Sequence, residues 1–345
     1  MDPEFRAALG GRRVGVHLPL AGGMLKAVDR AIAIGATCLQ VFADNPSAWR
    51  RRAVLPAELP AFRDRLVAED ILPLAVHGPY LLNLAASDET IWERSVATLA
   101  ADLRTAAAWG TPFLNVHIGS HRGHGTDVGV ARIAEAVRRA LAEVPPEPGS
   151  PRLVLENSAG GGDGLGGTVE ELAAIQEAIA AAGADVGRVA FCLDTAHAWG
   201  AGYAISHPEE VDRLLVGLAR ALGPRRIVMV HLNDSKAALG SHVDRHEHIG
   251  AGTIGPDGLR AVLLHPELAG VPFYLETPGM DEGFDAVNMA RVRALLTGSP
   301  LPELPAAPAP TRRPRGRPRE ATAATPPGRL AAPASTRRPR GRPAT

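Results

Sequence analysis

Cysteine is scarce in this chain: two in 345 residues, Cys38 and Cys192, each inside an apolar run. Two isolated cysteines do not build a disulfide framework, so the composition fits a reducing cytoplasm. No apolar run approaches membrane-spanning length, which argues against a transmembrane helix and a membrane partner. The first residues, Met1 to Arg13, are charged and lack the apolar core of a secretory signal. Net charge is also absent, since 37 Lys and Arg balance 37 Asp and Glu. That zero hides an asymmetry. Residues 301–345 hold ten Arg, no Lys and two Glu, a net of +8, which leaves 27 basic and 35 acidic residues, a net of −8, for the remaining 300. An acidic body therefore carries a basic tail.

Apolar residues make up 46% of the chain, enough for a sizeable core. From residue 13 to about 298, short aliphatic runs alternate with helical patterns. The runs are 13–17, 38–42, 71–76, 112–116, 152–155, 189–193, 227–230 and 271–275. Between them, Trp92, Val96, Leu99, Leu103 and Ala106 form one apolar stripe at helical spacing, and Val130, Ile133, Val137 and Leu141 form another. Thr168 followed by Glu171 has capping-box spacing and opens a further helix. Eight strand–helix units of this size predict parallel strands closed into a single (β/α)8 TIM barrel. A doubly wound open sheet is the alternative. Residues 1–12 read as a flexible leader, 13–298 as the barrel, and 299–345, rich in Pro, Ala and Arg, as a disordered tail.

Six consecutive strand candidates end on a metal-type ligand: His77, His117, Glu156, Asp194, His231 and Glu276. In a barrel the strand C-termini open on one face, where active sites sit, so these residues should converge. Two satellites belong to loops on the same face. His197 follows Asp194 by three residues, and Asp244 and His246 stand at i and i+2, pointing the same way if extended. Gly250, Gly252 and Gly255 follow them. Taken singly, each of these is more often a solvated loop residue than a ligand. Six in a row on one face, with Asp194 and Glu276 ending apolar strands where a lone carboxylate is costly, make ligation the better reading. Imidazole with carboxylate suits zinc or manganese. Nine ligands exceed what one ion takes, so they suit two or three ions sharing a bridging carboxylate, an arrangement fit for phosphoester hydrolysis. His17 and His121 are candidate partners that orient ligands.

Long stretches around these residues resemble the endonuclease IV family of apurinic/apyrimidinic (AP) endonucleases. They are Leu114 to His121 (LNVHIGSH), Leu155 to Gly160 (LENSAG), Cys192 to Ala198 (CLDTAHA), His231 to Lys236 (HLNDSK) and Val243 to His246 (VDRH). The resemblance spans about residues 13–297. It implies a barrel with a three-zinc centre, manganese serving in part, that cuts double-stranded DNA 5′ of abasic sites. The ends left are a 3′-hydroxyl and a 5′-deoxyribose phosphate, and blocked 3′ ends are trimmed. It assigns His77, His117 and Glu156 to one zinc. Glu156, as catalytic bridge, passes to a second held with Asp194, His231 and Glu276, and His197, Asp244 and His246 hold the third. Tyr80 and Leu81 match residues the family inserts into DNA at the lesion. One position departs: Ser47 stands where the family often has an Arg, with Arg50, Arg51 and Arg52 close by as possible substitutes. The resemblance also implies a monomer acting in a bacterial-type cytoplasm at the nucleoid.

In the tail, the octapeptide at 311–318, Thr-Arg-Arg-Pro-Arg-Gly-Arg-Pro, recurs unchanged at 336–343. Its cores, Arg315-Gly316-Arg317 and Arg340-Gly341-Arg342, resemble AT-hooks. A glycine between two arginines lets the backbone enter a narrow A·T minor groove while both side chains follow its floor. Two rival functions stay open at this point. Sugar isomerases and epimerases share such a barrel but need only the Glu156, Asp194, His231 and Glu276 set. A non-catalytic DNA-binding protein would rely on the tail repeats alone.

Overall fold

The computed structural model of the chain describes residues 7, 9–279 and 283–305. The first half of the barrel runs β1 (Val14–His17), α1 (Met24–Ala33), β2 (Leu39–Phe42), α2 (Leu59–Ala68), β3 (Leu74–His77), α3 (Glu89–Trp109), β4 (Phe113–His117) and α4 (Thr126–Glu143). The second half continues with β5 (Arg152–Glu156), α5 (Val169–Ala181), β6 (Val189–Asp194), α6 (Thr195–Ala201), α7 (Pro208–Leu222) and β7 (Ile227–His231). A small hairpin, β8 (Asp234–Ser235) with β9 (His246–Glu247), precedes α8 (Gly255–Leu264), β10 (Phe273–Leu275) and α9 (Phe284–Thr297).

β1 to β7 and β10 form a closed barrel in the order β1-β10-β7-β6-β5-β4-β3-β2, with every pairing parallel. The TIM barrel expected from the repeat is thus the fold, and the open sheet is excluded. The apolar stripes explain its outer layer. Trp92, Val96, Leu99, Leu103 and Ala106 are all buried on α3, and Ile133, Val137 and Leu141 on α4. Thr168 caps α5 by accepting from the Glu171 N–H, but Glu171 does not reach back to it; its carboxylate accepts from the N–H groups of Gly166 and Gly167 instead.

Strand alternation decides which residues reach the barrel's interior. One face of each strand packs on the helices. The other lines the barrel with Cys38, Ala75, Phe113, Val154, Ala190, Cys192, Met229 and Tyr274. Gly15 belongs to that inner layer because a Cβ there would lie 1.8 Å from the Cys38 carbonyl oxygen. Both cysteines sit in this apolar interior, where burial raises both thiols, Cys192 to about 12, so neither is a reactive thiolate.

The edges of the barrel differ from the composition-based boundaries. Leu9, expected in a flexible leader, is buried in the core, and the Arg12 guanidinium donates to the Leu263 carbonyl. Beyond α9, Leu301 packs on the core and the Pro302 carbonyl accepts from Arg291. The packed body therefore continues past residue 298, because these flanking apolar side chains find the barrel's surface. Among the described residues, no helix is long and apolar enough to cross a membrane.

Candidate metal centre

Counting two residues on from the inner layer gives the mouth of the barrel. Ala75 leads to His77, Val154 to Glu156, Cys192 to Asp194, Met229 to His231 and Tyr274 to Glu276, while Phe113 leads through Asn115 to His117. Each ligand-type residue thus inherits an inward direction from an apolar residue below it. Glu276 lies one residue past the end of β10.

Three groups of side chains form, with ligand atoms within 4.8 Å of one another in each: His77, His117 and Glu156; Glu156, Asp194, His231 and Glu276; and Asp194, His197 and His246. Glu156 belongs to two groups, and so does Asp194. Asp244 joins the third set through its carboxylate, 3.3 Å from His197 Nε2 and 3.1 Å from His246 Nε2. All nine sequence candidates therefore come together. His197 is carried by the short helix α6 rather than by a loop. Asp194 caps that helix, its carboxylate accepting from the His197 N–H at 2.8 Å. His246 begins β9, and its loop is folded down by Asp234, which accepts from the N–H groups of Gly252 and Ile254. Gly252 is required there, since a Cβ would meet the Ser235 carbonyl oxygen at 2.4 Å.

The imidazoles are oriented by what their other nitrogen does. Nδ1 of His77 faces the Gly78 carbonyl, Nδ1 of His197 the Asn157 carbonyl, and Nδ1 of His246 the Glu276 carbonyl, at 2.7, 2.8 and 2.9 Å. A carbonyl only accepts, so these nitrogens carry a hydrogen, and Nε2 is the nitrogen that faces the carboxylates and, in the neutral ring, has a lone pair for an ion. The carboxylates are held too. Asn115 donates to Glu156 Oε2 at 2.7 Å, and Asn233 donates to Asp194 Oδ2 at 2.7 Å while its own oxygen accepts from the Glu276 N–H. Asn157 brackets Asp194 through both backbone groups.

The electrostatics match this crowding. Burial opposes charge on Glu156, yet His231, His117 and His197 hold it well below the usual carboxylate range. Burial opposes charge on His246, but Asp244 and Asp194 raise it to about 9. Burial lowers His117 and His17. Glu156 Oε1, His231 Nδ1 and His246 Nε2 are buried and have no hydrogen-bond partner. Buried donor atoms without partners, aimed at one another in mixed imidazole–carboxylate groups, fit divalent ions, which replace protons on such ligands.

Of the two proposed orienting histidines, His17 takes part: its Nδ1 is 2.8 Å from Glu276 Oε1. His121 does not; its Nδ1 accepts from the Gly125 N–H and its Nε2 faces Asp163. Tyr80 stands at the mouth, 59% exposed, its ring 6.3 Å from that of His117 and 5.2 Å from Phe42. Leu81 beside it is half-buried. Ser47 is exposed in a turn closed by Asn45. Two of the three nearby arginines are committed within the protein. Arg51 lies 3.1 Å from the buried Asp102 carboxylate and Arg52 donates to Asp44, leaving exposed Arg50 as the candidate for the missing Arg. The repeat residues Arg315, Gly316, Arg317, Arg340, Gly341 and Arg342 lie outside the described residues. Sequence reasoning missed Gln40, Asn115, Asn157 and Asn233. Gln40 and Asn115 lie within strands, two residues before the ends of β2 and β4, and Asn157 and Asn233 lie just past the ends of β5 and β7; Gln40 is also two residues beyond inward-facing Cys38.

Comparison with known proteins agrees with this architecture. A family model described as a xylose isomerase-like TIM barrel matches residues 28–296. A probable endonuclease 4 of Methanoculleus marisnigri is 41% identical over 282 residues, covering 82% of this chain and 98% of that protein. The crystal structure of endonuclease IV from Thermus thermophilus superposes with a TM-score of 0.72 at 42% identity, covering 83% of this chain and all of that one. A D-tagatose 3-epimerase-like protein superposes with a TM-score of 0.61 at 16% identity, over 83% of this chain and 97% of that one, and shares the fold. With the ligand-bearing mouth on the same barrel and this identity along nearly the whole of its relatives, the chain belongs to the endonuclease IV family.

Proposed function

We propose that the protein is a metal-dependent DNA-repair endonuclease. Its reaction is hydrolysis of the phosphodiester 5′ to abasic sites, leaving 3′-hydroxyl and 5′-deoxyribose phosphate ends, with trimming of blocked 3′ ends in base excision repair. The observation that carries this is the chain of three ligand groups joined through Glu156 and Asp194. A sugar isomerase or epimerase uses the group of Glu156, Asp194, His231 and Glu276 and has no need of His77, His117, His197, Asp244 and His246. A non-catalytic DNA-binding barrel has no need of any of them.

Zinc suits the donor set, with manganese possible in part of it. His77, His117 and Glu156 would hold one ion; Glu156, Asp194, His231 and Glu276 a second; His197, Asp244 and His246 a third. Divalent ions in such a cluster activate water and neutralise charge on attacking and leaving oxygens. The chain's own work is positional. Asn115 and Asn233 fix the shared carboxylates, backbone carbonyls fix the imidazole tautomers, and Tyr80 with Leu81 form the rim against which the lesion docks.

The tail supplies binding without chemistry. Its two Arg-Gly-Arg cores enter A·T-rich minor grooves and, joined on one tail, raise the effective concentration of DNA near an acidic body. The protein works as a monomer in a reducing cytoplasm, at the nucleoid. Incubation with a duplex bearing a single tetrahydrofuran site tests the reading. One cut 5′ to the lesion that is lost on chelation is the expected result; an intact duplex in the presence of zinc and manganese refutes it.

A further inference from the structure

The mouth holds one side chain that ties two opposite parts of the ligand set together. Gln40, on β2, is fully buried. Its Nε2 is 2.8 Å from Glu276 Oε1, just past β10, and its Oε1 is 3.1 Å from His231 Nε2 on β7. In the barrel order, β1 and β10 lie between β2 and β7, so this amide reaches across the mouth rather than along a neighbour.

The orientation of the amide follows from its partners. A carboxylate oxygen only accepts, so the end facing Glu276 must be the NH2 group. The end facing His231 is then the carbonyl oxygen, and His231 Nε2 must carry its hydrogen. In the neutral imidazole His231 Nδ1 is then the bare nitrogen. That atom is buried without a hydrogen-bond partner, 3.2 Å from Glu156 Oε1, 3.3 Å from Glu276 Oε2 and 3.7 Å from Asp194 Oδ2. Among three carboxylates that nitrogen takes up a proton or, in its place, a metal cation. The same amide, together with His17 Nδ1 at 2.8 Å, engages Glu276 Oε1 and leaves Oε2 to the centre. Three other imidazoles of the site take their orientation from backbone carbonyls and present Nε2. His231 presents Nδ1 and depends on a side chain for it.

From this we infer that Gln40 is a positioning residue for the ion shared by Glu156, Asp194, His231 and Glu276, acting by fixing the His231 tautomer and one Glu276 oxygen. The inference rests on the metal reading of the site given above. Partners of this kind commonly change metal affinity by about 10- to 100-fold.

The test uses full-length protein loaded with zinc. Zinc release into a chromophoric chelator is followed for wild type, Gln40→Leu and Gln40→Glu, with the His231 ring nitrogens observed by NMR and unfolding temperature as the folding control. In Gln40→Leu, one of three ions should leave about 10- to 100-fold faster, the other two at wild-type rates, with the His231 Nε2–H signal lost. Gln40→Glu keeps an acceptor for His231 but sets a second carboxylate against Glu276. It should keep the Nε2–H signal and still release that ion faster, which serves the test if the leucine variant does not fold. Wild-type release kinetics with an unchanged tautomer in either folded variant overturn the role of Gln40. Wild-type protein that binds no zinc overturns the metal reading itself, and this inference with it.

Discussion

The two ends of the ligand set are built differently. His77, Glu156, Asp194 and His231 are carried by barrel strands and are nearly inaccessible, with Glu156 at 1% exposure and His231 at 0%. His197, Asp244 and His246 are carried by a short helix, a loop and the two-residue strand β9 outside the barrel, and the Asp244 side chain is 51% exposed. A strand-borne ligand is fixed by the closed ladder of hydrogen bonds around it, and its loss leaves an unpaired charge in a dry interior. A loop-borne ligand depends on a few local bonds, such as those that Asp234 makes to Gly252 and Ile254. The lesson is that one centre can have a rigid half and a yielding half.

Breaking the rigid half should cost most. Glu156→Gln removes the anion shared by two ligand groups, and an amide is a poorer ligand that cannot bridge. We expect cleavage of an abasic duplex to fall by about a thousand-fold or more, a barrier increase of about 4 kcal/mol, with the circular dichroism spectrum unchanged. Activity within a few-fold of wild type would remove Glu156 from the centre.

The yielding half should lose its ion separately. Asp244→Ala should reduce the metal content by about one ion per chain, as elemental analysis would read it, while the strand-borne groups keep theirs. An unchanged content would make the Asp244 and His246 pair a surface feature and erase the contrast.

These two halves were also unequally legible in sequence. Strand-borne ligands announce themselves because an apolar run stops on a charged or imidazole side chain, and alternation then fixes its direction. The eight runs, their closure into a barrel and the convergence of His77, His117, Glu156, Asp194, His231 and Glu276 all follow from that pattern. The Asp244 and His246 pair was visible through its i, i+2 spacing. Helix α6 was not, because Thr195–Ala201 is too short to show a period and forms on the cap supplied by Asp194. Gln40 and the three asparagines were silent for another reason. A neutral amide within or just past a strand looks like any polar residue until its cross-barrel partners are known. The commitment of Arg51 to Asp102 is of the same long-range kind, joining the β2–α2 segment to α3.

A second contrast, between barrel and tail, predicts a smaller change. Deleting residues 306–345 keeps Leu301 on the barrel and removes all ten tail arginines. DNA affinity should weaken, most on A·T-rich flanks. The slope of log affinity against log salt should flatten by roughly 0.9 for each lost phosphate contact. Single-turnover cleavage at saturating enzyme should stay near the full-length rate. Equal affinity of both forms on A·T-rich and G·C-rich duplexes would show that the repeats are not DNA anchors.

The smallest effect concerns a buried carboxylate outside the mouth. Burial pushes Asp102 up to about 7, with Arg51 pulling it down and Asp44 adding to the rise. In the unfolded chain an Asp titrates near pH 4. Between about pH 4 and 7 the folded protein therefore holds a proton that the unfolded chain has lost. Stability from this group is fully present below pH 4 and falls as pH rises through 7. Asp102→Asn should flatten that decline, a difference on the order of 1 kcal/mol between pH 5 and 8 in denaturant melts. A variant that keeps the wild-type slope would mean that Asp102 stays ionised against Arg51 throughout.

What sets this centre apart from an isomerase's is an ion in each of its three ligand groups. Elemental analysis of protein purified without chelators or added metal, referred to protein concentration by amino-acid analysis, tests it most directly. About three divalent ions per chain, mostly zinc, are expected. One ion per chain would contradict it and favour an isomerase-type centre confined to Glu156, Asp194, His231 and Glu276.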